Sequence, residues 1–509
     1  MFVRKIQNPS GSISVQVISK KDGKYRMVKS FGSTNDPERL AQLLLAAQEY
    51  ADNPSSQRSL FFALAKEDLT VQNFLENLSN LQVRAIGPEL IFGALFDRIG
   101  FNVVVPDQLF RHIVIARLVY PASKLKTADY LYRYRGITVS DETIYRFLDK
   151  LNEKYKEKAE KTAFEYTKRT LKNIAIVFYD MTTLYFESEN EDDLRKIGFS
   201  KDGKFQNPQI MLGLLVGENG YPIGYDIFKG NTFEGHTLIP IIKKIQKKYG
   251  FEKPIVVADA ALLSKKNIEG LIKEKYEFII GARIKNETEK IKQEIIAKTG
   301  GLENGQNIIL NKSDKTRLII SYSDKRRKKD KHNREKGIKK LQEKIKSGKL
   351  TKSSINNRGY NKFLKLNGSV AAALDNDKIK NDELWDGLKG YATNTRLEAD
   401  KIIKNYSHLW QIEKAFRISK TDLRIRPIYH YLQRRIEARI CIAFVAYTIY
   451  KELERLLNEH KAGFSPKRAA ELTHNMYEIE YILPHSKHKA KTLLRMDAEQ
   501  QILYGIIYK

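Results

Sequence analysis

Two aspartates, each standing where a short apolar run ends, constrain this chain more than any other feature. Ile174–Phe178 (IAIVF) runs into Tyr179-Asp180, and Pro254–Ala258 (PIVVA) runs into Asp259. Both runs are rich in β-branched residues and read as buried strands. Ile210–Val216 and Ile223–Phe228 meet across Glu218-Asn219-Gly220-Tyr221, a hairpin signal. Residues 237–249 have helical spacing, Ser264 is placed to cap a helix to about 273, and Tyr276–Ile280 (YEFII) reads as a fifth strand. The order is βββ-α-β-α-β.

That order is the ribonuclease-H-like arrangement, an α/β fold in which the ends of neighbouring core strands converge. Two carboxylates at those ends lie close together, and like charges so held are costly unless a cation neutralises them. Mg²⁺, which takes one or two carboxylates plus waters, suits the task. Taken singly, either aspartate is equally an ordinary turn former or helix cap; it is the pair that points to a metal site.

Composition narrows the partner. The 509 residues carry 90 Lys plus Arg against 61 Asp plus Glu, a formal charge of +29, with 42% hydrophobic residues. This is a folded chain, of about three domains by length, whose charge calls for a polyanion. The longest apolar stretch, Ala438–Tyr450, contains Arg439 and is too short to span a bilayer; it reads as a core helix. MFVRKIQNPSG has no signal-peptide apolar region. Cys441 is the only cysteine, which excludes an intrachain disulfide and a cysteine-based zinc site, and the nine histidines show no close ligand spacing. A reducing, cytoplasmic and nucleoid-associated setting is expected.

Along the chain, residues 1–60 are expected to form a β-hairpin (Ile13, Val15 and Val17, an Asp22-Gly23 turn, then Tyr25 and Met27) and a helix opened by Asp36-Pro37, with the polar linker Asn53–Ser59 closing the region. Residues 61–170 are expected to be a helical DNA-binding region. In Gly136–Leu151 a turn, Ser140 as a cap, and Thr143, Ile144, Arg146 and Lys150 on the next helix fit a helix-turn-helix, and fit equally a three-helix fold that never touches DNA. The core, 171–282 and 396–450, is interrupted by 283–395, read as a basic subdomain with β-like stretches at Ser369–Leu374 and Gly387–Ala392. Within Asp324–Lys349 there are 13 Lys or Arg against 4 Asp or Glu, a run suited either to phosphates or to a solvated helix. Residues 451–509 are expected to be helical. No fixed-period repeat is visible.

A third acid is Glu413, in NYSHLWQIEKAFRISKTDLRIRP. Glu413, Phe416, Arg417 and Lys420 follow i, i+3, i+4, i+7 spacing and are predicted to share one helical face, with Lys420 two turns, about 10 Å, from Glu413. Tyr406 is predicted two turns on the other side. Spacing alone fits an ordinary Glu/Lys surface helix as well.

Tyr406-x2-Leu409-x3-Glu413-x6-Lys420 resembles the Tyr-Arg-Glu-Lys signature of bacterial insertion-sequence DDE transposases, of the cut-and-paste kind with a β-strand insertion. The flanks YDMTTLYFES around Asp180, VVADAALLS around Asp259 and WQIEKAFRISKTDLRIRPIYH around Glu413 are similar as well. The resemblance covers about 174–450 well. It implies that Asp180, Asp259 and Glu413 are the catalytic acids and hold two Mg²⁺ (Mn²⁺ can substitute). It implies that Tyr406 and Lys420 grip phosphates near the cut, and that a homodimer acts on paired transposon ends and target duplex by strand cleavage and strand transfer. One position departs: the signature arginine is Leu409, leaving Arg417, Arg424 or Arg426 to supply that phosphate contact. Trp385 is read as packing or as a platform for an extruded base. Thr182 and Thr183 are expected to hydrogen-bond locally. Glu234 and His236 are candidates for contacts behind the metals or to DNA, beside a plain helix-start role. Two other readings stay open: a catalytically silent transposase-derived DNA-binding protein, and a ribonuclease-H-like nuclease that cannot join ends.

Overall fold

The computed structural model describes residues 1–21, 23–52, 66–262, 264–347, 350, 355–356, 358–367, 371–483 and 486–508. The expected linker at 53–59, the turn residue Asp22, and residues 348–349 and 369–370 of the expected insertion features lie outside them. Two compact units are present, Met1–Val83 with Ile479–Thr492 and Arg84–Glu478 with Leu493–Lys509.

In the first unit β1 (Phe2–Gln7), β2 (Ile13–Lys21) and β3 (Lys24–Thr34) form an antiparallel sheet in that order. Gly23, at φ +74°, supplies the left-handed conformation that the tight reversal between Lys21 and Lys24 requires. Asp36 caps the helix Pro37–Asp52 by accepting the Glu38 N–H at 3.0 Å. Alternate residues Val15 and Val17 bury against Ala47 and Ala51 of that helix. The short β4 (Val83–Ala85) follows.

The second unit is built on one eight-stranded mixed sheet. Its strands are β5 (Ile176–Tyr185), β6 (Gln209–Val216), β7 (Pro222–Lys229), β8 (Ile255–Ala258), β9 (Phe278–Ala282), β10 (Asn307–Ser313), β11 (Thr316–Tyr322) and, beyond the small hairpin β12 (Leu364–Asn367) and β13 (Ala371–Leu374), β14 (Leu388–Thr393). The order is β10-β11-β14-β9-β8-β5-β6-β7. β5, β8 and β9 are parallel, and β6 and β7 are antiparallel to their neighbours, the expected ribonuclease-H-like core. All eight residues of β6 are buried, so QIMLGLLV reads as a continuous apolar run instead of alternating.

Two details differ from the expected layout. β5 does not stop at Asp180; Met181–Tyr185 continue it because they pair with β6 after β8 has ended. The insertion strands β14, β11 and β10 extend the core sheet beyond β9, each antiparallel to its neighbour. Trp385 packs with Ile284, Ile295, Leu310 and Leu318 on that extension, which favours packing over base stacking.

Helices Gln108–Val119, Lys124–Arg135, Asp141–Lys150 and Lys156–Leu171 surround the helix Gln433–Glu459, the expected core helix. Its Arg439 is buried and donates to the carbonyls of Arg424, Ile425 and Pro427. Toward the C-terminus, where the expectation was helix alone, Tyr477–Ile482 and Lys489–Leu493 are strands, consistent with the alternation of polar and apolar residues in YEIEYI.

Most of the basic run folds as the helix Asp324–Lys346. Arg334 anchors it, donating from both Nη atoms to Asp386 at 2.5 and 2.7 Å with its own side chain 6% exposed. Arg334→Ala leaves Asp386 an unpaired, largely buried charge and is expected to cost about 3–5 kcal/mol within the insertion. Hydrogen exchange should show faster opening of residues 324–346 with the β5–β8 core unaffected.

Candidate active site

The strand register brings the two aspartates together. Tyr179 pairs with Ala258 in the parallel β5–β8 ladder, so Asp180 and Asp259 are the next residues on adjacent strands. Asp180 Oδ1 accepts its neighbour Met181 N–H at 2.7 Å, and Asp259 Oδ1 accepts the Ala260 N–H at 2.5 Å. Burial pushes the Asp180 carboxyl up to about 6; the Lys201 ammonium opposes this, and Glu234 and Asp259 add to it.

Lys201 and Glu234 are thus part of the site. The Lys201 ammonium lies 2.7 Å from Glu234 and 3.9 Å from Asp180, and donates to the Met181 carbonyl at 2.8 Å. Thr183 is buried and holds this loop by accepting the Lys201 N–H at 3.2 Å, so its hydrogen bond is not the local one expected. Thr182 is buried. His236 is exposed and stacks edge-on with Phe233 at 5.4 Å, away from the carboxylates' hydrogen bonds.

Glu413 sits in the first turn of the helix Trp410–Arg417, which buries Ile412, Ala415 and Phe416 and packs on β5. Two expectations about this helix need correction. Tyr406 is not on it: Tyr406 belongs to the separate helix Ala399–Ser407, and the chain turns at His408 and Leu409. The face expected to be shared by Glu413, Phe416, Arg417 and Lys420 is also altered in burial and in backbone geometry. Phe416 is buried, Glu413 and Arg417 are exposed, and the backbone widens into a π turn over Ile418–Asp422 before Lys420.

The helix break carries Tyr406 to the acids. Its hydroxyl lies within the field of Asp259 and Glu413; burial and these two charges hold the phenol well above its usual range. Gly281 on β9 makes room for it: a Cβ there would stand 2.3 Å from the Tyr406 oxygen. Lys389 on β14 stacks over the Tyr406 ring at 4.4 Å and feels both Asp259 and Glu413, with burial pulling its pKa down. Tyr406 and Lys389 therefore share the field of Asp259 and Glu413, whereas Lys201 pairs directly with Asp180 and Glu234.

Lys420 is largely buried and reaches Asp202 at 3.5 Å, where Arg426 also pairs; burial lowers its pKa, Asp202 opposes this, and Arg426 and Lys201 add to it. Leu409 is buried in the main core, away from solvent. Arg417 and Arg424 are exposed, Arg424 with φ +43°. Beside Lys389 opens a cavity of about 520 Å³ whose walls include Arg283, Lys285, Arg326 and Lys362.

The donors, carboxylate oxygens with an under-compensated Asp180 among them, are those a hard divalent cation takes. Among the described residues no group of three or more His, Cys, Asp or Glu is arranged to hold a metal ion. No helix among them is long and apolar enough to cross a membrane.

Residues 171–449, more than half of the chain, match the family described as "Transposase DDE domain". Among solved structures, the chain is similar to a piggyBac transposase synaptic complex with hairpin DNA, at 9% identity over 76% of this chain and 76% of that one, with a TM-score of 0.37. It is also similar to a Mos1 transposase paired-end complex with left transposon end, at 13% identity over 33% of this chain and 56% of that one, TM-score 0.16. A Mos1 mariner paired-end complex with Mn is similar at 14% identity over 31% and 54%, TM-score 0.15. No curated protein sequence matches.

Proposed function

Because the chain belongs to the DDE-domain transposase family, we propose that it cleaves DNA at insertion-sequence ends and transfers the strands, with Asp180, Asp259 and Glu413 as the catalytic acids. The observation that carries the assignment is the matched register of Asp180 and Asp259; that Tyr406 and Lys389 each feel both Asp259 and Glu413 supports adding the third acid. In this reading the three carboxylates hold two Mg²⁺, or Mn²⁺. When bound, the pair supplies activation of the attacking water or 3′-hydroxyl and neutralises charge at the leaving oxygen. Asp259 is oriented by the Tyr406 hydroxyl, and Asp180 is held by the Met181 amide. The bacterial insertion-sequence origin, the paired-end homodimer and end recognition by residues 61–170 belong to the same proposal, with the helix Asp141–Lys150 presenting Arg146 outward.

The phosphate contact missing at Leu409 falls to Lys389, whose ammonium stands between the acids and the basic cavity wall. Arg417 and Arg424 add exposed charge, and Lys420 acts together with Asp202 and Arg426. Lys389→Met should slow cleavage roughly 10–100-fold, the worth of one charge-assisted hydrogen bond, with Mn²⁺ binding retained. Calorimetric Mn²⁺ titration beside single-turnover cleavage checks this.

The exposed lysines of the helix Asp324–Lys346 give a second readout. Changing Lys325, Lys328 and Lys329 to Gln should lower the slope of log K against log salt by about 0.9 for each phosphate left without its lysine. The test of the whole reading is incubation of the protein and Mg²⁺ with duplexes carrying the DNA that flanks its gene. End-specific nicks followed by joining to a second duplex are expected. Nicks without joining would favour the nuclease reading, and binding without nicks the silent one.

A further inference from the structure

Beneath the segment that follows Lys420, the helical layer encloses four basic side chains. Arg117 lies on the helix Gln108–Val119, Lys124 opens the helix Lys124–Arg135, His430 precedes the core helix, and Arg439 lies on it. They are 4%, 3%, 5% and 5% exposed. Each feels the charge of others in the group, and among the described residues none of them pairs with a carboxylate. Arg439 spends its N–H groups on the carbonyls of Arg424, Ile425 and Pro427, and Arg117 reaches the Leu423 carbonyl at 3.5 Å. Lys124 Nζ and His430 Nε2 are buried without a hydrogen-bond partner. Arg435, another cation that His430 feels, is itself paired with Asp149.

A buried cation without a counter-charge is costly, and so is a buried donor without an acceptor. Two arginines cannot relieve this by losing protons at neutral pH. The first-turn amides of the helix on which Lys124 sits add positive potential of their own. What such a place lacks is one compact acceptor of negative charge. We propose that the cluster of Arg117, Lys124, His430 and Arg439 is a binding site for one small inorganic anion, a halide or an oxyanion.

Lys124 Nζ and His430 Nε2 are its direct donors, and the two guanidiniums supply the field. The bound anion ties the segment 423–430, which carries Arg424 and Arg426, to the helices below. Without it, Lys124 and His430 stay neutral: burial and the neighbouring cations draw the Lys124 pKa well down and that of His430 to about 3. The proposal does not rest on the catalytic reading, and its test needs no DNA.

Crystals of the full chain soaked separately in bromide and in sulfate should show density within hydrogen-bond reach of Lys124 Nζ and His430 Nε2; the anomalous bromide signal distinguishes halide from oxyanion. In solution, the melting temperature should rise with either anion at fixed ionic strength, and Lys124→Met and His430→Phe should lose the part of that rise that exceeds the general salt effect. Density in the wild-type crystal together with that loss supports the site. If Lys124→Met does not fold, His430→Phe and the wild-type crystal decide. A water or no density at the cluster, or equal anion slopes in wild type and the folded variants, would overturn it.

Discussion

Asp180→Asn should abolish DNA cleavage, by about 10³-fold or more if it removes a metal ligand from the transition state, while raising the melting temperature. Burial holds the Asp180 carboxyl near 6, above the ordinary carboxylate value, so the folded chain binds more protons than the unfolded one between about 4 and 6. Stability therefore falls as pH rises through that window, and at pH 7 the ionised group is a net burden on the metal-free fold. The amide removes the charge and keeps the shape. With the side chain 28% exposed, the gain is about 1–2 kcal/mol at pH 7 and vanishes below pH 4. Saturating Mn²⁺ should reverse the order, stabilising wild type and not the variant. Thermal melts at pH 4 and 7, with and without Mn²⁺, read all of this. A variant that melts lower than wild type at pH 7 without metal would show that Asp180 is a structural partner.

Gly281→Ala should impair the site from behind while leaving the sheet intact. The added methyl would stand 2.3 Å from the Tyr406 oxygen and 3.2 Å from the Ala260 amide nitrogen, so the phenol must leave Asp259. If the phenol orients Asp259 through a hydrogen bond, losing it is worth about 1.5–3 kcal/mol, a roughly 10–100-fold slower cleavage. Tyr406→Phe removes the same hydroxyl without the clash and should slow cleavage by a similar factor. The double variant should lose no more than either alone, because both act on the same hydroxyl. Additive losses would mean that Gly281 matters for some other reason. In the proposed reading the Tyr406 phenol, in the field of Asp259, orients a catalytic acid, where the resemblance implies a grip on DNA.

Asp180 and Asp259 are legible in the sequence because strand-forming runs deliver them, and the β5–β8 register then fixes their adjacency. Glu413 and Tyr406 are legible as types in a spaced pattern, but their geometry is not. The spacing implies a continuous helix, whereas the turn at His408 and Leu409 and the widened backbone at Ile418–Asp422 redirect everything on either side. Lys389 and Lys201 carry no local signal: each is one lysine among 90 basic residues, and its meaning comes from strands and loops that meet only in the folded chain. Glu234 stands out as a candidate, but its place beside Asp180 depends on where the Lys201 loop lies. The strand β10 escapes a reading by pattern because it is an edge strand with a largely exposed pattern that offers little apolar periodicity. The buried cluster around Arg439 shows the same limit, since an arginine inside an apolar helix says nothing of the basic residues gathered around it.

Diffraction from crystals soaked in Mn²⁺ with a duplex of the gene's flanking DNA tests the central claim most directly. Anomalous peaks bridging Asp180 and Asp259, with a second reached by Glu413 and roughly 3.5–4 Å from the first, are the predicted result. Mn²⁺ held elsewhere, or a Glu413 carboxylate left in solvent while both aspartates bind the ion, would contradict it.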